Sequence, residues 1–340
     1  MDRERRKPAR LADVAKLAGV STALVSRIVN DDPTLRAREE TRDAVRAAIA
    51  MLNYTPHSSA RALRNSQTGL LGFALHGVND PLYVEMVDAA QAEAGRRNYS
   101  IILVNIEELT DRREAFREIV LGRRVDGLLI HGGHGRGEGE LQELARDLPS
   151  VMFNADPAAG LRTIRFDDVR AAEIATTHLI ELGHRDIVYL GDIGATSSRR
   201  YEGYRRALAD AGLPSFPPIV AGLSPDETHD ATVRLLRSGA TATAFVVMST
   251  TAALGVHSGI VAAGLRIPDD LSVVSIHDAW FARHLNPALS TVSLPLAQMG
   301  SIAVSILLDQ IGEPSDGETV IDDPAPHLIV RGSTAAPATI

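Results

Sequence analysis

The sequence predicts an all-α helix-turn-helix headpiece followed by an α/β body of two Rossmann-like lobes. Three observations carry that prediction. Near the N-terminus, apolar residues recur at helical spacing around a glycine-containing turn. After Thr68-Gly69 the pattern changes to short apolar runs alternating with helical stretches, more of them than one lobe accommodates. The charge divides at the same place: residues 1–67 carry +5 and the rest −13, within a chain of 340 residues and net charge −8. A single core rarely serves that length, so two or more domains are expected.

Composition narrows the function classes. With no cysteine, disulfide scaffolds, thiol catalysis and Cys-based metal sites are excluded. Overall acidity argues against a nucleic-acid partner, but the basic head reverses that inference for the N-terminal part. Charges interrupt the run Leu11-Ala12-Asp13-Val14-Ala15-Lys16, so it is not a signal peptide. No stretch approaches the ~20 apolar residues of a membrane span. A soluble, cytoplasmic protein with no membrane partner is expected.

In the head, Leu11, Val14, Ala15, Leu17 and Ala18 define a first helix. Gly19 supplies the left-handed residue that ends it, and Ser21 caps a second helix running through Val25, Ile28 and Val29. Ala15 is the small residue where the helices cross, and Val25 the buried anchor of the second. A third helix, from about Arg38 to Leu52, closes the core with Val45, Ala48, Ile49 and Leu52. Two short helices joined this way form a helix-turn-helix, whose second helix enters the major groove. Thr22 and Ala23 are then candidate base readers, and Arg27 reaches a guanine edge or a phosphate. Ser21, Ser26 and Asn30 are cast as phosphate contacts.

The run Leu-Ala-Asp-Val-Ala-Lys-Leu-Ala-Gly-Val-Ser-Thr-Ala-Leu-Val-Ser-Arg-Ile-Val-Asn, residues 11–30, resembles the headpiece of the lactose/galactose repressor (LacI) family of bacterial transcription regulators. The match continues through Glu40-Thr41-Arg42 and Asn53-Tyr54-Thr55-Pro56 and extends over nearly the whole chain, with Leu24 replacing the usual Thr. The resemblance implies a DNA-binding domain over 1–55, a hinge helix or linker over 56–67, and an effector-binding core over 68–340. In the hinge, Leu63 takes the position of a leucine that wedges into the minor groove, with Arg61 and Arg64 available to phosphates; His57 replaces the more usual Asn.

In the body, Leu70–Leu75, Ser100–Asn105, Gly127–Ile130, Val151–Asn154, Asp186–Leu190, Ala244–Met248 and Ser272–Ile276 read as buried parallel strands. Helices are expected over Tyr83–Arg97, Arg112–Leu121, Val169–Leu182 and Arg199–Ala211. Such sheets bind ligands at the carboxyl ends of their strands, so two facing lobes make a cleft. The resemblance implies a periplasmic-binding-protein-like core, one lobe covering about 69–164 and 297–323 and the other about 165–296 and 324–335. It also places the last strand at Arg331-Gly332-Ser333-Thr334.

Cleft candidates follow strand end by strand end. Asn79 and Tyr83 follow the first strand and His131 the third, while Arg200 matches an arginine that typically hydrogen-bonds effector oxygens. Ser249-Thr250 stands where many relatives carry Asn-Asp, and His277, followed by Asp278, replaces a frequent effector-binding aspartate. A histidine there suggests a ligand interaction sensitive to pH near neutrality.

No catalytic constellation assembles. The run His131-Gly132-Gly133-His134-Gly135-Arg136-Gly137-Glu138-Gly139 lacks the Gly-Lys-Ser/Thr of a phosphate loop, and Gly255-Val256-His257-Ser258-Gly259 is one residue off a nucleophile elbow. The expectation is therefore a non-enzymatic repressor without cofactor or metal, binding a near-palindromic operator as a homodimer and controlled by a carbohydrate-like effector. The alternative is a sugar-binding or sugar-processing α/β protein with a non-regulatory head.

Overall fold

The computed structural model describes residues 9–29, 32, 34–54, 67–77, 80–106, 122, 124–132, 138–157 and 160–338. The chain divides into two compact units, Met1–Gly69 and Leu70–Ile340.

The first unit is a three-helix cluster: α1 (Leu11–Ala18), α2 (Thr22–Val29) and α3 (Glu39–Leu52). Val14, Ala15, Val25, Ile28, Val45, Ala48 and Tyr54 form its core, with Ile49 and Leu52 packed partly buried against them. Gly19 takes φ 68° and so ends α1 without Cβ strain, its N–H donating to the Ala15 carbonyl. Ser21 Oγ accepts from Leu24 N at 3.2 Å, the capping bond that starts α2. Leu17 departs from the expected apolar stripe: it is half exposed on the outer face of α1, because Val14 and Ala15 already fill the crossing.

The second unit contains two six-stranded sheets. The first comprises β1 (Leu70–Leu75), β2 (Ser100–Asn105), β3 (Gly127–His131), β4 (Ser150–Phe153), β5 (Arg162–Phe166) and β11 (Gly317–Ile321), in the order β11-β5-β4-β3-β1-β2. The second comprises β6 (Ile187–Gly191), β7 (Ile219–Val220), β8 (Ala244–Val247), β9 (Ser272–Ile276), β10 (Ser290–Ser293) and β12 (His327–Ile329), in the order β12-β10-β9-β8-β6-β7. All pairings are parallel except β10 with β12. The chain passes between the sheets after β5, after β10 and after β11, so neither lobe is a continuous segment.

Glycines set the helix spacing over both sheets. Helix α4 (Leu82–Arg96) packs on α10 (Leu296–Gly312), where a Cβ on Gly300 would stand 2.1 Å from the Met86 carbonyl oxygen. In the second lobe α6 (Asp168–Glu181) meets α7 (Ala195–Asp210) at Gly203, 2.1 Å by the same measure from the Val169 carbonyl oxygen. Helices α8 (Pro225–Arg237) and α9 (Thr250–Ala262) cross at Gly255 and Gly259. That crossing explains the near-miss nucleophile elbow. Ser258 lies inside α9 and donates to the Gly255 carbonyl, so the glycines serve helix packing and present no strained nucleophile.

Five strands escaped the sequence reading. In β5, Arg162 and Arg165 break the apolar run, yet both are answered from β11. Arg165 pairs with Glu318 at 2.7 Å and Arg162 donates to Thr319 Oγ1 at 2.8 Å. In β10 the buried residues are mostly hydroxyls. The expected final strand at Arg331–Thr334 is also corrected: the strand is His327–Ile329, and the following residues are anchored by side chains instead. Ser333 Oγ donates to the Val273 carbonyl at 2.6 Å and accepts from Ser290 N at 2.8 Å. The expected helix Arg112–Leu121 lies outside the described residues. Among the described residues no helix is long and apolar enough to cross a membrane, and no group of three His, Asp or Glu could hold a metal ion.

Candidate functional site

On the head, α2 exposes Ser21, Thr22, Ala23 and Arg27, while Ser26 is half-buried. Small side chains at 22 and 23 bring the helix backbone close to any surface laid against it, leaving Arg27 as the long donor. The Arg27 side chain is not free: Nε donates to Asp32 Oδ2 at 2.8 Å and Nη2 to Thr34 Oγ1 at 3.0 Å. The Thr34 hydrogen bonds, followed by that of Arg27, hold the Asp32 carboxyl down at about 2. Asn30, Arg61, Leu63 and Arg64 lie outside the described residues.

In the second unit, a cavity of about 940 Å³ opens between the two sheets. Its walls are the carboxyl ends of the strands beside each point where strand order reverses, the place where doubly wound sheets take ligands. The first sheet contributes His76 beyond β1, Tyr83 on α4, His131 at the end of β3 and Asn154 just past β4. The second contributes Asp192, Thr196, Arg200, Ser249 and His277, with Phe281 beyond.

On the first wall, the Tyr83 hydroxyl and His131 Nδ1 lie 3.1 Å apart, and Asn154 Nδ2 lies 3.5 Å from His131 Nε2. All three residues are almost fully buried. Asn154 has φ 54°, which asparagine tolerates better than most side chains. Its Oδ1 is a buried acceptor without a partner. An unfilled acceptor lining a cavity is costly in a closed structure and useful where a ligand brings a donor.

On the second wall, Arg200 is set by Asp168, a carboxylate with no solvent exposure at the start of α6. Asp168 Oδ1 accepts from Arg200 Nε at 2.9 Å, and Oδ2 accepts from Arg199 Nε at 3.0 Å. Arg200 Nη1 donates to the Met248 carbonyl. Arg199 continues across the cleft to the Asn154 carbonyl at 2.9 Å. Thr251 on α9 makes a second cross-cleft bond, donating to Asp80 Oδ1 at 3.1 Å.

Of the cleft candidates read from sequence, Tyr83, His131, Arg200, Ser249 and His277 line the cavity. Asn79 lies outside the described residues. Ser249 has a structural duty as well, its side chain capping α9 by accepting from Ala252 N at 3.1 Å.

Asp278 is a correction. It does not line the cavity; Arg331 Nη1 and Nη2 hold its two oxygens at 2.6 and 2.9 Å, and Thr291 donates to Oδ1 at 2.7 Å. The side chain points to the C-terminal segment because side chains alternate across consecutive extended residues.

His277 corrects a second expectation. Burial, reinforced by the nearby Arg200 charge, pushes its imidazole down to about 4, so it is neutral through the physiological range. Its φ of 80° is unusual for a side chain of this size and marks a locally forced backbone at the cavity wall.

The sequence reading missed His76, Asp80, Asn154, Asp168, Thr251 and Phe281. Asn154 ends a predicted strand, so the rule that found His131 applies to it equally. Asp168 follows β5, whose arginines hid the strand, and no signal was available.

A three-helix DNA-binding head joined to a two-lobed core with an interlobe cavity defines a class: ligand-controlled transcription regulators. Comparison with known proteins makes it specific. A model of the bacterial regulatory proteins, lacI family, matches residues 10–57, and one of the periplasmic binding protein-like domain matches residues 176–334. The HTH-type transcriptional repressor PurR of Haemophilus influenzae is 31% identical over 332 residues, covering 96% of this chain and 98% of its own. The ribose operon repressor of Escherichia coli is 31% identical over 331 residues, covering 96% and 99%. Among solved structures, the lac repressor dimer bound to operator and the anti-inducer ONPF superimposes with a TM-score of 0.83 at 26% identity, covering 97% of this chain and all of that one. The chain belongs to the lacI family of bacterial regulatory proteins, and it is a DNA-binding regulator, not an enzyme.

Proposed function

We propose that this chain is a repressor whose homodimer binds a near-palindromic operator in the cytoplasm and whose cleft takes an uncharged polyhydroxyl effector, a sugar or simple sugar derivative. The observation that carries the effector class is the polar character of the cavity. Its walls present His76, Tyr83, His131, Asn154, Arg200 and His277, with one unfilled buried acceptor on Asn154. The positive charge of Arg200 is already opposed by Asp168, and Asp80 and Asp192 add negative charge to the lining. Such a site suits hydroxyl groups that both donate and accept, and it penalises a phosphate or a second carboxylate. One similar structure is a transcriptional regulator CelR–cellobiose complex at 26% identity and a TM-score of 0.69, which supports a sugar ligand for this cleft.

Ser21, Thr22, Ala23, Ser26 and Arg27 are proposed to meet the operator, with Arg27 the principal base-reading side chain. Two heads give the contacts that one short helix cannot, and the dimer sets the spacing of the half-sites. The effector acts by changing how the two lobes close, through cross-cleft bonds such as Thr251 to Asp80 and Arg199 to Asn154.

Thermal-shift screening of neutral sugars, sugar phosphates and sugar acids tests this directly. Each hit is then titrated by fluorescence of Trp280, the chain's single tryptophan, which sits edge-on 5.7 Å from cavity-lining Phe281. Stabilisation by a neutral sugar that also shifts operator binding is the expected result. A sugar phosphate as the one effective class would refute the charge argument.

A further inference from the structure

The tightest polar cluster on the head is Arg27, Asp32 and Thr34, and the fold of the head does not require it. The hydrophobic cluster of Val14, Val25, Ile28 and Val45 closes without any of the three. The cluster is self-consistent in its hydrogens. Asp32 Oδ1 accepts from Thr34 N at 2.9 Å and from the Thr34 hydroxyl at 2.7 Å. The same hydroxyl oxygen accepts from Arg27 Nη2 at 3.0 Å, and Asp32 Oδ2 takes Arg27 Nε at 2.8 Å. The Asp32 backbone is fixed too, its N–H donating to the Arg27 carbonyl at 3.1 Å. The carboxylate therefore stands on a braced loop and grips one edge of the guanidinium.

A guanidinium has five N–H donors in a plane. Nε–H and the adjoining Nη2–H form its side-on edge; Nη1–H and the outer Nη2–H form its end-on edge. Here the side-on edge is occupied, while the Arg27 side chain stays 44% exposed. An arginine free to swing satisfies any phosphate within reach, whereas one held by its side offers a fixed pair of donors spaced for two acceptors on a base.

We propose that Asp32 is a specificity-positioning residue: with Thr34 it holds the side-on edge of Arg27, so that the end-on donors meet O6 and N7 of a guanine. The proposal rests on the reading that Arg27 contacts a base. Asp32 has a second effect, because its negative charge beside α2 discourages Arg27 from settling on the phosphate backbone. Sequence discrimination is thereby gained at the expense of non-specific affinity.

The test uses the full-length chain and a duplex selected by that chain from a random pool, with each guanine replaced in turn by 7-deazaguanine to delete N7. Wild type is expected to lose tenfold or more in affinity at one guanine per half-site, and Arg27→Ala to be insensitive there. Asp32→Asn, nearly isosteric, and Asp32→Ala are expected to reduce the penalty to threefold or less. They should bind a random duplex as tightly as wild type or more tightly, with the log–log salt slope on that duplex steeper by about one phosphate contact.

If Arg27→Ala is insensitive while both Asp32 variants keep the full tenfold penalty, the positioning role is overturned and the base-reading role stands. If Arg27→Ala keeps the wild-type pattern, the base-reading role itself fails, and the proposal with it. Equal loss of affinity on selected and random duplexes in the Asp32 variants would make Asp32 a structural residue only.

Discussion

Replacing Asp168 by Ala should cost the core far more than any other single carboxylate on its polar surface. The carboxylate has no exposure, and it answers two guanidinium groups whose side chains are 15% and 5% exposed, Arg199 and Arg200. Removing it leaves two cations in a largely dry site, and the loss of one partner of a buried pair typically costs about 3–5 kcal/mol. For a unit of roughly 270 residues, with an unfolding entropy of about 2.1 cal/mol/K per residue, that corresponds to a fall in Tm of about 5–9 °C. The internal control is Glu202→Ala on the same helix, which removes the exposed pairs with Arg205 and Arg206 and should leave Tm unchanged. Scanning calorimetry of the full chain measures both. A Tm for Asp168→Ala within 2 °C of wild type would refute the argument that this carboxylate compensates both charges.

Three further outcomes follow from the geometry. Gly300→Ala should destabilise the core by about 1–3 kcal/mol, since its Cβ would meet the Met86 carbonyl oxygen at 2.1 Å and force α4 and α10 apart; Gly95→Ala, on the same α4 and open to space, should be neutral or slightly stabilising, and denaturant melts compare the two. Core stability should be full above pH 6.5 and fall as pH drops toward 4, because His277 stays neutral when folded but takes up a proton when unfolded. Burial of His178 and His184 acts in the same direction, and the fall should be about 2 kcal/mol between pH 7 and 5 for His277, with a shallower pH slope in His277→Gln. Asn154→Gly should weaken binding of the sugar found by screening tenfold or more by calorimetry while leaving Tm close to wild type, because glycine accepts the φ of 54° and the lost Oδ1 made no bond within the protein; affinity within twofold of wild type would remove Asn154 from the ligand-binding wall.

Local pattern alone was enough to identify the head. Helical spacing, a glycine that takes a positive φ and a serine cap are properties of neighbouring residues, and the structure has all three at Val14, Gly19 and Ser21. The inner strands were legible for the same reason, since a strand buried on both faces reads as a continuous apolar run. Strand ends also pointed to much of the cleft, including His131 and His277. What depended on partners distant in sequence was not legible. The arginines of β5 look like loop residues until Glu318 and Thr319 are brought beside them.

The tertiary structure also decided which of two adjacent residues faces the cavity. His277 does, and Asp278 is turned to Arg331, fifty-three positions away. It set the histidine's charge state as well, because burial is a property of the assembled site and not of the residue. Sequence by itself thus determined the class of protein and the strand ends that frame its cleft, through interactions of short range. Tertiary structure decided which side chains in that frame carry charge, which are already paired and which are left with an unfilled hydrogen bond, because those properties belong to contacts between segments.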